Sequence, residues 1–322
     1  MTIQQVRKLA SAALTQQDAA FFLQESQISD FFIPSPSPVL DADCILEFVL
    51  NKNKTYFLLH GNEEISSENF NKICEAIAKR RTGLPIAYIT GHKEFYGFDF
   101  IVTPDVLIPK PDTEILVELA INYIKEKILA NPNKILTICD MCTGSGCIGL
   151  SVLKMLIEDK SIPKNRIPKF VLADISLKAL DIATKNYEQL IPSEYSQRVQ
   201  FIQSNLFSNV TGTFDVILTN PPYIPAELVT DLLKDGRNEP TLALNGDITE
   251  TGDAATSDDG LEIIRRLLPQ SFDKLNYKGI LLMETGEYNA EASSKLEISL
   301  GFRNVCIHKD LSGQLRVVEG IK

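Results

Sequence analysis

Three short runs of residues carry most of the chemistry this chain can do. Asp140-Met-Cys-Thr-Gly144-Ser-Gly146-Cys-Ile-Gly149 sets glycines in a GxGxxG arrangement between an apolar run and a helical one. Glycine there lets the backbone turn tightly and come close to a ligand. A second apolar run ends at Asp174, 28 positions after Gly146, where a carboxylate can accept hydrogen bonds from two ribose hydroxyls. Loop and acid together point to an adenosine-containing ligand; the plainer alternative is a strand-to-helix turn with an acidic cap. The glycines alone do not choose between a nicotinamide dinucleotide and S-adenosylmethionine.

Thr219-Asn220-Pro221-Pro222-Tyr223, at the end of a later apolar run, makes that choice. The two prolines stiffen the backbone and leave carbonyls with no competing amide donor nearby. An Asn side chain and a proline carbonyl then offer two acceptors to a planar NH2 group, and Tyr223 offers a flat face to the group that bears it. An amide or arylamine nitrogen is a poor nucleophile because its lone pair is delocalised. Accepting both of its N–H bonds pulls the lone pair out of conjugation and points it at a methyl carbon. Positioning of this kind is worth effective molarities of roughly 10⁵–10⁸ M, so no strong base is required. The three histidines, His60, His92 and His308, lie outside all of these runs. The alternative for this segment is a proline-stiffened loop ending a strand. Cys139-x-x-Cys142 reads as two small buried cysteines, because no second pair follows at zinc spacing, and no metal is expected. Arg80-Arg81 fits a phosphate contact or a solvated helix end equally well.

These residues need elements to hold them. Ile3, Val6, Leu9, Ala10 and Ala13 recur at helical spacing, as do Ile45, Leu46, Val49 and Leu50, and Phe70, Ile73, Ala76 and Ile77, so residues 1–84 read as a helical bundle. Ile86–Ile89 and Phe98–Val102 are β-rich around Gly91 and Gly97, which predicts a hairpin connector over 85–110. From 111 to 322 the pattern alternates. Pro109 and Pro111 precede a helix over Thr113–Leu129. Strands are expected at Ile135–Cys139, Phe170–Ala173, Val199–Ile202, Phe214–Thr219, Ile280–Glu284 and Val305–His308. Helices are expected at Cys147–Ile157, Leu177–Leu190, Leu261–Leu268 and Ala290–Leu300. This is an α/β chain with a mostly parallel, doubly wound sheet, whose ligand sits at the carboxyl ends of the strands. Asn245–Asp259, with five acidic and no basic residues, reads as a mobile surface loop.

Composition narrows the classes further. The chain has 322 residues, 32 Lys+Arg against 42 Asp+Glu and a formal charge of -10. Acidic residues outnumber basic ones in residues 1–100 and again in the remainder, which argues against direct nucleic-acid binding. No apolar run approaches the roughly 20 residues of a membrane span, and MTIQQVRKLASAALTQQ is too polar for a secretory signal. The six cysteines fit a reducing compartment. A cytoplasmic, monomeric enzyme is the expectation.

The chain closely resembles the bacterial peptide chain release factor N5-glutamine methyltransferases. The likeness runs through Asp41-Ala-Asp-Cys-Ile-Leu, Lys54-Thr-Tyr-Phe-Leu-Leu-His60, Leu84-Pro-Ile-Ala-Tyr-Ile-Thr-Gly91 and Glu94-Phe-Tyr-Gly97. It continues through Leu107-Ile-Pro-Lys-Pro-Asp-Thr-Glu114, Asn220-Pro-Pro-Tyr223, Asn238-Glu-Pro-Thr-Leu-Ala-Leu244 and Asp310-Leu-Ser-Gly-Gln314. The resemblance implies a Rossmann-like class I methyltransferase with a helical domain that docks the release factor. It implies S-adenosylmethionine as donor, S-adenosylhomocysteine as product, and the Gly-Gly-Gln glutamine as acceptor. Cys142, Thr143, Gly144, Ser145 and Gly146 would wrap the methionine part, Asp174 the ribose, and Asn205 and Leu206 the adenine. Asn220 would touch cofactor and substrate, while Pro221, Pro222 and Tyr223 hold the glutamine. Cys142 stands where the family usually has glycine, Lys110 where arginine is usual, and Asn205 where aspartate is common; the acidic loop is longer than usual.

Three other readings compete. A DNA adenine-N6 methyltransferase needs the same Asn-Pro-Pro-Tyr geometry for a flipped base, but predicts a basic cleft. An NAD-dependent dehydrogenase would use the glycine loop and leave Asn220–Tyr223 without a role. A glutamine methyltransferase acting on a ribosomal protein shares the chemistry and differs only in its substrate.

Overall fold

Helical spacing puts Ile3, Val6, Ala10 and Ala13 on the buried side of α1 (Ile3–Ala13), which starts at a reciprocal cap between Thr2 and Gln5. α2 (Pro38–Leu50), α3 (Lys54–Leu59), α4 (Ser67–Arg81) and α5 (Ile86–Thr90) complete a bundle around Val6, Ile45, Leu46, Phe57, Ile73 and Ile77. The computed structural model describes residues 1–322 and divides them into two units. One is Met1–His92 with Asp231–Asn238, and the other is Lys93–Thr230 with Glu239–Lys322.

Within the helical unit the buried charges are matched. Asp43 takes a two-point contact from Arg7 at 2.7 and 2.8 Å, and Asp41 accepts from Arg80 Nε at 2.7 Å. Arg81 is buried, donates to the carbonyls of Ala13, Gln16 and Gln17, and lies 4.3 Å over the Phe32 ring. Arg80-Arg81 is therefore neither a phosphate contact nor a solvated helix end, because both guanidinium groups are consumed inside the bundle. Ile86–Ile89, expected as β-rich, is the helix α5. Pro85 opens it, Gly91 closes it at φ +77° with its N–H on the Ala87 carbonyl, and Ile86 and Ile89 pack on the bundle core. Asp231–Asn238 joins this unit through backbone contact. A Cβ on Gly83 would lie 2.1 Å from the Asp235 carbonyl oxygen, and one on Gly236 2.0 Å from that of Thr82.

A hairpin does form at the start of the second unit, but from β1 (His92–Phe95) and β2 (Phe98–Ile101), so only the second of the two expected strands is a strand. Tyr96 and Gly97 both have positive φ, the two-residue turn that matches strand twist. The other elements are α6 (Glu114–Ala130), β3 (Thr137–Met141), α7 (Cys147–Glu158), β4 (Lys169–Asp174), α8 (Leu177–Leu190), β5 (Val199–Gln203) and β6 (Phe214–Thr219). They continue with α9 (Ala226–Leu232), α10 (Thr241–Leu244), α11 (Glu262–Lys274), β7 (Leu275–Glu284), α12 (Ala290–Leu300), β8 (Arg303–Lys309) and β9 (Leu315–Ile321). Seven strands form one sheet in the order β5-β4-β3-β6-β7-β9-β8. The first five are parallel, while β9 runs antiparallel to both β7 and β8.

One apolar core packs Leu116, Ile124, Leu153 and Leu156 with Ile138, Leu172, Leu218 and Leu282. The other packs Ile264, Leu267 and Leu268 with Cys139, Ile217, Leu281 and Met283. Strand residues alternate between the two, so the sheet is covered on both faces. Strand β9 went unanticipated, and β7 starts five residues before the expected Ile280. Helix α11 runs on through Pro269 to Lys274, where Gln270 Nε2 caps the Arg266 carbonyl at 3.0 Å. Asn245–Asp259 is not a free loop. Asp247 is buried and accepts from Gly260 N at 2.9 Å and Ala226 N at 3.2 Å, and Ile248 bridges to Ala254.

Candidate active site

Chain order reverses between β3 and β6: from β3 the chain moves outward to β4 and β5, then returns to β6 on β3's other side. Such a switch point leaves a crevice at the strands' carboxyl ends. The register fixes what stands there. Met141 pairs with Ala173 on one side and Thr219 on the other. The next residue on each strand path therefore stands at one level at the carboxyl edge: Cys142 just past β3, Asp174 as the last residue of β4, and Asn220 just past β6. All three line a cavity of about 310 Å³, together with Thr143, Gly144, Ser145, Asn205, Leu206 and Pro222. Gly146, Pro221 and Tyr223 do not line it.

The glycine turn is held from beneath. Asp140 is fully buried, and its Oδ2 accepts from Thr143 Oγ1 at 2.6 Å and Gly149 N at 2.9 Å. Burial pushes that carboxyl up to about 7, against the pull of those two hydrogen bonds. A Cβ on Gly149 would lie 2.8 Å from Asp140 Oδ2, and one on Gly146 2.8 Å from Leu150 Cδ1. These two glycines serve helix packing. Gly144 is different: at φ +55° nothing lies within 4 Å of where its Cβ would stand, and it lines the cavity, so the backbone there is open to it. Cys142 sits at φ +60°, a left-handed position that explains glycine as the usual family residue there. All six cysteines are free thiols.

Asp174 Oδ2 accepts from Gly144 N at 2.8 Å and its Oδ1 from Ser176 N at 2.9 Å. Burial raises this carboxyl and those N–H groups lower it. Its remaining lone pairs are available to hydroxyls. Asn186, on α8, is fully buried and ties the turn to the hairpin: its Nδ2 donates to Ser145 O at 2.9 Å and Ile101 O at 3.0 Å. Sequence reasoning missed Asn186 and gave Asp140 no role. It also missed the cavity walls formed by Pro104, Val106, Leu107 and Pro109, by Ile175, by Ile248–Glu250 and by Arg266. The clustered prolines at 104, 109 and 111 were the available signal for the first wall. Lys110, also in the wall, pairs with buried Glu239 at 2.5 Å.

Tyr223 is oriented from behind. Its carbonyl accepts from Tyr288 Oη at 3.2 Å and Asn289 Nδ2 at 3.1 Å, and its hydroxyl donates to Glu284 Oε1 at 3.3 Å. Glu284 is buried at the end of β7. Burial pushes its carboxyl up to about 7, with Thr113, Arg316 and Tyr223 acting the other way. A carboxyl raised above its unfolded value stabilises the fold fully below about 4.5, and that contribution is lost as pH rises through about 7. Glu284→Gln cannot ionise. The stability difference between pH 5 and pH 8, measured by urea denaturation, should shrink by on the order of 2 kcal/mol in this variant.

The doubly wound sheet, with its glycine turn and the acid beside it, is a Rossmann-like fold, and the matches to known proteins make this chain a methyltransferase of that fold. Residues 15–91 match the family described as PrmC N-terminal domain, and residues 123–238 match the methyltransferase small domain. The chain belongs to the release factor glutamine methyltransferase family. It is 35% identical over 286 residues to the Leptospira interrogans release factor glutamine methyltransferase, covering 88% of this chain and 91% of that one. Its identity to the Koribacter versatilis protein of the same name is 35% over 293 residues, covering 89% and 92%. The Clostridium acetobutylicum protein of that name is 31% identical over 317 residues, covering 97% and 96%. No helix is long and apolar enough to cross a membrane.

Proposed function

We propose that this enzyme moves a methyl group from S-adenosylmethionine to the side-chain amide nitrogen, N5, of the glutamine in the Gly-Gly-Gln motif of peptide chain release factors. That would place it in the cytoplasm as a modulator of translation termination. The observation that carries this reading is the shared level of Cys142, Asp174 and Asn220 on one cavity. The cavity fits the donor: it has the volume of a small-molecule site, an open backbone approach at Gly144, and a carboxylate with spare lone pairs at Asp174. When bound, S-adenosylmethionine supplies an electrophilic methyl carbon and leaves as S-adenosylhomocysteine. Residues 142–145 would carry its methionine part, Asp174 its ribose hydroxyls, and Asn205 with Leu206 its adenine.

Everything else is positioning by the protein. The Asn220 side-chain oxygen and the Pro221 carbonyl would accept the two N–H bonds of the glutamine amide. Pro222 stiffens the approach, and Tyr223, set by Glu284, Tyr288 and Asn289, would flank the amide plane. No imidazole lines the cavity, which suits a transfer that needs geometry rather than a strong base.

Two experiments test the two halves of this proposal. S-adenosylhomocysteine should raise Tm while NADH does not, and Asp174→Ala should raise the S-adenosylhomocysteine Kd by about 10–100-fold, the worth of charge-assisted hydrogen bonds. A dehydrogenase would show the reverse ligand preference. With labelled donor, a release factor should take label while ribosomal proteins and duplex DNA do not. Label on either of the latter alone would overturn the substrate assignment.

A further inference from the structure

At the edge of the sheet, away from the cavity, a second set of reactive side chains converges. Cys306 and His308 stand two residues apart on β8, so both point to one face of the sheet. Glu319 on β9 is the register partner of Cys306 and projects from the same face. Cys306 Sγ lies 3.3 Å from His308 Nε2, which lies 2.8 Å from Glu319 Oε2, and the three donor atoms fall within 4.8 Å of one another. Cys306 is exposed and the other two are half-buried, so the group is open to solvent.

Hydrogen bonding satisfies the thiol only weakly here, since sulfur is a poor acceptor for an Nε2–H already directed at Glu319. A neutral imidazole Nε2 carries either one hydrogen or one lone pair. If it donates to Glu319, it cannot accept from the thiol; if it accepts from the thiol, it faces a carboxylate oxygen across 2.8 Å with no proton between them. A cation at the centre removes the conflict by accepting one lone pair from each group. The spacing suits this. Zinc–sulfur and zinc–nitrogen bonds of about 2.3 and 2.0 Å at a tetrahedral centre put sulfur and nitrogen about 3.5 Å apart. The imidazole–carboxylate pair need open by only about half an ångström.

We propose that Cys306, His308 and Glu319 form a site for one divalent transition-metal ion of the zinc type, with water completing the coordination. The bound ion would cross-link the outermost strand pair of the sheet. None of its three ligands lines the cavity, so the site stands independently of the methyl-transfer reading.

The test uses the full-length protein stripped of metal by a chelator, then titrated with Zn2+ by calorimetry and with Co2+ by absorption. One equivalent should bind, Co2+ should give a sulfur-to-metal charge-transfer band, and Zn2+ should raise Tm. Cys306→Ser should abolish the band, and His308→Gln and Glu319→Gln should each weaken Zn2+ binding by at least about tenfold. Cys44→Ser, at another free cysteine, should change nothing. Unaltered S-adenosylhomocysteine binding would establish that each variant is folded. Absence of saturable binding, or binding that Cys306→Ser and His308→Gln leave unchanged, would overturn the proposal.

Discussion

Asn220→Ala should lower kcat for methyl transfer by roughly 10²–10³-fold, the usual cost of removing one preorganised polar contact from a transition state. Donor affinity should change far less. Asn220 follows β6 at the level where Cys142 follows β3 and Asp174 ends β4, so in the proposed complex it would lie between donor and acceptor. Its oxygen is needed most when the amide nitrogen gives up conjugation, which makes the loss a kcat effect rather than a uniform binding effect. Asn220→Asp keeps the size and an acceptor but adds charge, and it should also be severely impaired. The measurement is steady-state kinetics with S-adenosylhomocysteine affinity in parallel. An equal loss in affinity and kcat would reassign Asn220 to cofactor binding alone.

Gly260→Ala should be the most destabilising small substitution near the site, by about 3 kcal/mol, combining a left-handed penalty with backbone overpacking. Gly260 has φ +71°, and a Cβ there would lie 2.0 Å from the Tyr223 carbonyl oxygen. That carbonyl is already held by Tyr288 and Asn289 and has nowhere to retreat. Gly246, at the other end of the acidic segment, is as tight: its Cβ would meet the Gly260 carbonyl oxygen at 2.2 Å and Tyr223 Cα at 2.8 Å. The two glycines therefore clamp the base of this segment onto Tyr223. Gly212→Ala is the control, since Gly212 has φ +83° and open space beyond it; it should cost only about 1–2 kcal/mol. Urea denaturation of the two variants separates the two contributions. Equal costs at Gly260 and Gly212 would show that the clamp is not tight.

How much of this was legible depended on the range of the interactions involved. Leu177–Leu190 and Ala290–Leu300 were delimited correctly because their apolar periodicity is long and their ends are marked by Ser176 and Gly301. Ile86–Ile89 was misread because four residues, three of them β-prone (Ile86, Tyr88 and Ile89), carry no period of their own; the bundle they pack against decided for helix. β9 was missed because its pairing is antiparallel to a parallel sheet, a choice that no residue in Leu315–Ile321 announces. The site divided in the same way. Gly144, Asp174 and Asn220 were readable since each lies at or within three residues of the carboxyl end of a strand. Asn186 acts on residues 85 and 41 positions away, and Glu284 reaches Tyr223 across 61 positions. Such buried polar roles exist only once the chain is folded. The acidic segment looked like a loop by composition, but its base is buried through Asp247 and its inner side walls the cavity.

The most direct measurement incubates the purified enzyme with a release factor and labelled methyl donor, then maps the product by peptide mass. The account predicts one added methyl group on the glutamine of the Gly-Gly-Gln peptide, and its loss when the enzyme carries Asn220→Ala. A methyl group on any other residue, or one that persists undiminished with Asn220→Ala, would contradict it.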